Sequence, residues 1–295
     1  MSEDPSPTVF LAIYIITFLI GFPNSVLAFC SCIRKIRSKP IPIDIFMLNL
    51  AISDLILLTF LPIKMKEAAD NMVWNMPFFM CHSDLFVYLL PIYSSSLFLT
   101  AISAERYVCI AFPVKYRSPK RIIYTIPICV AIWVLVVASA TFVYKTAYTD
   151  SGVIEPQRCY SDITAKQLTE LFPVLLSIAV VFFFLPLITC CFCYINFICI
   201  LLKLPLIKRK RRLRAVGMAL GTLLVFASSF APYNISHLVG YIQKEHPKWS
   251  ATALILSTIN ACYDPIIFFC ISKEMRSAIK VCAKAFIWFY AYLKG

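Results

Sequence analysis

Charge is scarce in this sequence. Only 15% of its residues are Asp, Glu, Lys or Arg, while 60% are hydrophobic and the mean hydropathy is +0.80. A water-soluble globule is excluded, because a fold of 295 residues has no interior large enough to hide that much apolar surface. Histidine is scarcer still: His82, His237 and His246 are the only three, two of them expected in loops, too few for an intramembrane zinc hydrolase. No lysine lies between Ala251 and Ile271, so no Schiff-base chromophore can attach to the last hydrophobic stretch. No internal repeat is visible, which argues against a secondary transporter. A basic n-region is missing from the short N-terminal tail, so the first hydrophobic stretch is expected to act as its own signal anchor.

What is present is hydrophobic length. A segment crossing hydrocarbon needs about 20 apolar residues in a helix, since every backbone N–H and C=O must be satisfied internally. Seven stretches qualify, at roughly 8–33, 43–66, 79–110, 122–144, 171–203, 214–242 and 250–271. The expected fold class is an all-α membrane protein: a seven-transmembrane helix bundle over 1–271, then an amphipathic eighth helix and short tail over 272–295. Lys and Arg crowd the first, third and fifth connections (Arg34, Lys35, Arg37, Lys39; Lys115, Arg117, Lys120, Arg121; Lys208 to Arg214) and the segment after the seventh stretch. The even connections carry fewer cations, mixed with acids. Short basic loops stay in the cytoplasm, so the N-terminus is expected outside a multi-pass plasma-membrane protein. The net charge of +13 is then mostly this topology signal, plus attraction to anionic membrane lipid; nucleic acid is not an expected partner.

Ionisable groups at mid-membrane depth are costly and point to function. Asp54, Arg106 and Asp264 are such groups, in the second, third and seventh stretches. With Ser95 and Asn260, the two carboxyl groups could hold one monovalent cation, Na+, as an allosteric ion rather than a cofactor; Asp54 and Ser95 are its first candidate ligands. The other reading is that both acids are buried protonated for packing specificity. Most of the 13 cysteines lie inside the stretches, where a thiol behaves as a small apolar side chain. Cys81 and Cys159 instead face an oxidising compartment, so a bridge between them is one option.

Several motifs fall one per stretch in order: Asn49 to Asp54, Glu105-Arg106-Tyr107, Trp133, Pro186 with Tyr194, Pro232, and Asn260 with Asp264-Pro265. Over nearly the whole chain this pattern resembles the rhodopsin-like class of G-protein-coupled receptors. The resemblance implies a receptor rather than an enzyme, and a Cys81–Cys159 disulfide. It also implies a G-protein coupling end built from Glu105, Arg106, Tyr107 and Tyr194. A narrower resemblance rests on Asp44 to Leu50, Leu61 to Ala69 and, above all, Phe230 to Tyr241. These look like the free fatty acid receptor family, whose short-chain carboxylate members match best. Phe230 would then stand where most of the class has a rotamer-switch tryptophan.

That family grips a small carboxylate with two arginines, on helices five and seven, beside a histidine or asparagine on helix six. Charge-assisted bidentate bonds suit a ligand with so little apolar area. Here His237 is present, but the arginine positions hold Leu175 and Ser250. Lys64 or Lys248 could supply a displaced anion site. Alternatively, a different small molecule binds among Tyr88, Tyr93, Tyr233, Asn234 and Tyr241, or the receptor signals without a ligand. The resemblance implies inhibitory and Gq-type heterotrimeric G proteins as partners.

Further departures from the class are expected to matter. Asn24 comes one place early, with Ser25 in its register; Phe268 replaces the usual tyrosine; and Arg212 stands where a glutamate could have paired with Arg106, leaving Glu105 as its neighbour. After Ser272, Met275, Ile279 and Cys282 alternate with cations, and Cys282 is a candidate either for palmitoylation or for ordinary burial. Ser272 and Ser277 are nearly the only hydroxyls there, so phosphorylation-driven arrestin capture is expected to be weak.

Overall fold

A computed structural model of the chain describes residues 6–38, 40–116, 120–148, 165–204, 209–245, 247 and 249–271. Among them there is no strand. The helices are α1 (Pro7–Ser38), α2 (Pro42–Ala69), α3 (Phe78–Ala111), the single turn α4 (Pro113–Tyr116), α5 (Lys120–Tyr148), α6 (Ala165–Ala179), α7 (Leu185–Lys203), α8 (Arg209–Gln243) and α9 (Ser250–Ile271). A π-helical turn, Val180–Phe184, joins α6 to α7 into one rod. Five helices among the described residues are long and apolar enough to cross a membrane: Pro7–Ser38, Pro42–Ala69, Arg121–Thr146, Leu171–Lys203 and Arg212–Gln243. His82 lies on α3 rather than in a loop. The expected eighth helix with Cys282, the residues Cys159 and Lys248, and the side chains of Cys81 and Phe268 lie outside the described residues.

The packing inverts that of a soluble protein. Ile123, Tyr124, Val134, Phe142, Ile188 and Leu224 are exposed on the rods, whereas Ser53, Asp54, Ser94, Asp264 and Asn260 are buried. In hydrocarbon the outward face needs no water, and polar groups find partners only by turning inward. Asn49 is a clear case: its Nδ2 donates to Ile45 O at 2.9 Å and its Oδ1 accepts from Trp133 Nε1 at 2.9 Å, tying α2 to α5. Ser25, rather than Asn24, takes the fully buried place on α1.

Proline shapes the rods. Pro186 has no N–H, so the carbonyl of Phe182, four residues earlier, loses its helical donor. The chain answers with the π turn, in which Leu185 N–H bonds Val180 O. The Ser96 hydroxyl of α3 donates to the freed Phe182 carbonyl. This cross-rod bond fixes α3 against the fifth rod and turns Phe182 and Phe183 into the core.

Successive rods run in opposite directions, so polar side chains collect at two ends. At one end α1 is fastened to α2 by Lys35 Nζ on Asp44 Oδ1, and Asp44 is only 1% exposed. Lys35→Met removes the cation beside a buried carboxylate and is expected to cost about 2–4 kcal/mol, whereas Lys35→Met with Asp44→Leu recovers most of it. Thermal unfolding in detergent measures both; equal losses in the single and double variants would contradict this account.

Candidate functional site

At the His237 end, Lys64 sits on the last turns of α2 and is the one buried lysine or arginine among the described residues, 8% exposed. Its spacing from Glu67 places both side chains on one helix face. Lys64 Nζ meets Glu67 Oε2 at 2.8 Å. The ammonium also lies 5.4 Å from the Tyr88 ring centroid and 6.0 Å from that of Trp74. It acts electrostatically on the Tyr233 hydroxyl, and Tyr233 acts on that of Tyr93. The Tyr233 ring stands edge-on to His237 with centroids 4.5 Å apart, and Tyr93 packs against Phe182 at 5.0 Å.

Lys64, Tyr88, Tyr93, Tyr233 and His237 therefore form one cluster across α2, α3 and α8. Asn234 is buried beside it, its Nδ2 donating to Phe230 O at 2.8 Å. Tyr241 does not join: it is 45% exposed, because one further turn of α8 carries it onto the outer surface. Leu175 packs against the main core, and Ser250 is buried at the start of α9. Two residues went unrecognised as members of this cluster in the sequence. Glu67 was signalled by its three-residue spacing from Lys64; Trp74, in the connection after α2, carried no signal.

Midway along the bundle, Asp54 and Asp264 are fully buried with their carboxyl groups in hydrogen-bonding contact. Asn260 Nδ2 donates to Asp264 Oδ2 at 2.7 Å. Asp54 Oδ2, Asp264 Oδ1 and Asn260 Oδ1 have no hydrogen-bond partner among the described residues. Ser95 turns elsewhere: its hydroxyl lies 3.0 Å from Ser53 Oγ, which also meets Ser94 Oγ at 2.7 Å and donates to Pro91 O at 3.0 Å. Adjacent serines on α3 and one on α2 satisfy each other along that seam, which draws Ser95 into the hydroxyl network.

An aromatic column continues from there. Phe183 stacks on Phe226 at 5.9 Å, and Phe226 meets Phe230 edge-on at 5.2 Å. Phe230 is buried on α8, two residues before Pro232.

At the Arg106 end, Glu105 pairs not with Arg106 but with Arg121 Nη1 of α5, at 3.3 Å. Arg121 also lies 5.0 Å over the Tyr116 ring. Consecutive residues on a helix point about 100° apart, so Glu105 faces α5 while Arg106 faces elsewhere. Arg106 Nη2 and the Tyr194 hydroxyl have no hydrogen-bond partner among the described residues. Tyr107 makes edge contacts with Phe112 at 6.4 Å and Phe192 at 5.9 Å. Arg212 Nη1 donates to Leu202 O at 3.5 Å, and no acid from α8 reaches Arg106 among the described residues.

A polar end, a buried polar centre and an arginine-bearing opposite end, joined by helical rods, describe a membrane receptor. Residues 24–268 match the family model for the 7 transmembrane receptor (rhodopsin family). The chain belongs to that family, whose members are receptors and not enzymes. It is 39% identical over 272 residues to free fatty acid receptor 3 of Mus musculus, covering 91% of this chain and 85% of that protein. Free fatty acid receptor 2 of Homo sapiens is 39% identical over 285 residues, covering 94% and 86%. Free fatty acid receptor 1 of Mesocricetus auratus is 31% identical over 276 residues, covering 89% and 91%. This is a receptor of the free fatty acid receptor type.

The buried Tyr93 hydroxyl has no hydrogen-bond partner among the described residues. Tyr93→Phe removes an unsatisfied polar group while keeping the ring, so stability is expected to hold or to rise by about 1 kcal/mol. Unfolding temperature in detergent checks this, and a clear fall would mean the hydroxyl has a partner.

Proposed function

We propose that the chain is a plasma-membrane receptor with seven crossings, its N-terminus outside and an eighth helix on the inner leaflet. It passes occupancy of the Lys64–His237 cluster to heterotrimeric G proteins at the Arg106 end. The observation that carries this reading is the separation of the two ends, bridged by the Phe183–Phe226–Phe230 column. The alternation of basic and mixed connections supports the orientation. A ligand that prefers one arrangement of the rods shifts the population toward it, and a G-protein helix does the same from the other end. Inhibitory and Gq-type G proteins are the partners carried over from the family resemblance.

The relatives are named for free fatty acids, so a short-chain carboxylate is the first ligand class for this cluster, with His237 and Lys64 as its anchors. A second reading, a ligand that is not a carboxylate anion, is favoured by the Lys64–Glu67 pair. Cys81–Cys159 is proposed as the outer disulfide, Cys282 as the lipid-modified thiol and Lys248 as a further cation near the ligand.

No acid of α8 restrains Arg106 among the described residues, so appreciable signalling without agonist is expected. Nucleotide exchange in receptor membranes should exceed that in empty membranes, and Arg106→Ala should return it to the empty-membrane level. Equal exchange with and without the receptor would count against this reading.

Na+ is proposed between Asp54 and Asp264, where three buried oxygens lack partners among the described residues. By bridging α2 and α9 the ion would hold the rods together, so replacing Na+ with a large organic cation should raise basal exchange about twofold or more, as a small coupling energy does. Asp54→Asn should abolish that dependence. A sodium response that persists in Asp54→Asn would place the ion elsewhere.

A further inference from the structure

Lys64 is the one buried lysine or arginine among the described residues, and its charge is already answered by Glu67 at 2.8 Å, itself buried. The cluster around this pair carries one positive and one negative charge, framed by Tyr88, Trp74, Tyr233 and His237. His237 is ordinarily neutral at physiological pH. Positions 175 and 250 add a leucine and a serine, with no charge.

A carboxylate entering such a place brings a net negative charge. To be bound by Lys64 it must draw the ammonium away from Glu67, and that leaves a second buried carboxylate without its counter-ion. Breaking one partner out of a buried pair is far more costly than the pair is worth. A ligand with no net charge meets no such obstacle. A neutral polar molecule hydrogen-bonds around an intact pair, and a zwitterion inserts between the partners and gives each a new counter-ion.

Building on the ligand site proposed above, we propose that this cluster is specific for a small ligand of zero net charge, and that the Lys64–Glu67 ion pair is the element that rejects carboxylate anions. Lys64 and Glu67 are thus the specificity-determining residues of the site. Acid recognition is suppressed by the glutamate as well as by the loss of the two arginines.

The test is agonist-driven nucleotide exchange in membranes carrying the full chain, with butyrate, butyramide and 4-aminobutyrate as probes. Surface abundance of each variant is measured in parallel. Glu67→Gln frees the ammonium without changing side-chain size, so this variant should respond to butyrate at a half-maximal concentration roughly tenfold or more below wild type. Adding Lys64→Met should abolish the gain, and this uncharged double variant should reach the surface. In wild type, butyramide or 4-aminobutyrate should act more strongly than butyrate, and the stronger of the two says whether the ligand is neutral or zwitterionic.

The inference is overturned by a wild type that prefers butyrate, or by a Glu67→Gln variant that reaches the surface without a gained butyrate response. Loss of the receptor reading is seen separately, as basal exchange indifferent to Arg106→Ala. An Arg106-dependent signal with no Glu67→Gln gain sinks only the ligand class.

Discussion

Hydrocarbon offers no hydrogen bonds, and most of this structure follows from that constraint. Backbone groups close on themselves in helices, and polar side chains turn inward because no other surface can satisfy them. Pro186 shows the rule under stress. Its missing N–H leaves the Phe182 carbonyl open, the rod widens into a π turn, and the Ser96 hydroxyl crosses from α3 to supply the donor. Asn49 with Trp133 and the serines along the α2–α3 seam settle their polar groups the same way. Each settlement joins two rods, so satisfying polar atoms and fixing the bundle are one process.

The groups left over are not scattered. Unpartnered buried oxygens gather at Asp54, Asp264 and Asn260, and an unpartnered guanidinium nitrogen lies at Arg106. A buried polar atom without a partner raises the energy of the arrangement that contains it and favours any other that supplies one. A receptor needs two arrangements of similar energy, and these positions are where an ion or a partner helix can tip the balance. The fully settled Lys64–Glu67 pair at the other end does the opposite work: it sets what a ligand must bring with it.

The fold was largely legible in the chain. Long apolar stretches separated by basic or mixed connections could be read off directly, and the described rods follow them within a few residues, running longer where Lys35 and Arg37 extend α1 past the apolar run. The membership of the outer cluster was legible in part: Lys64, Tyr88, Tyr93, Tyr233 and His237 do meet. Tyr241 was misread because a helix turns about 100° per residue, and the last turn of α8 carries it outward. Ser95 and Glu105 were correctly placed on α3, but their partners, Ser53 and Arg121, depend on the neighbours that α3 packs against.

The sequence by itself therefore determined the helical class, the receptor family and the positions of the ionisable groups. These are properties of local composition, and hydrophobic length and motif order need no knowledge of neighbours. Only the tertiary structure decided the pairings. It gave Lys64 to Glu67, Glu105 to Arg121 and Ser95 to Ser53, and left Arg106 without an acid among the described residues. The physical reason is that a charge buried in a low-dielectric bundle is controlled by whatever lies within a few ångströms. Which residue that is depends on rod rotation and crossing, which no single stretch of sequence specifies.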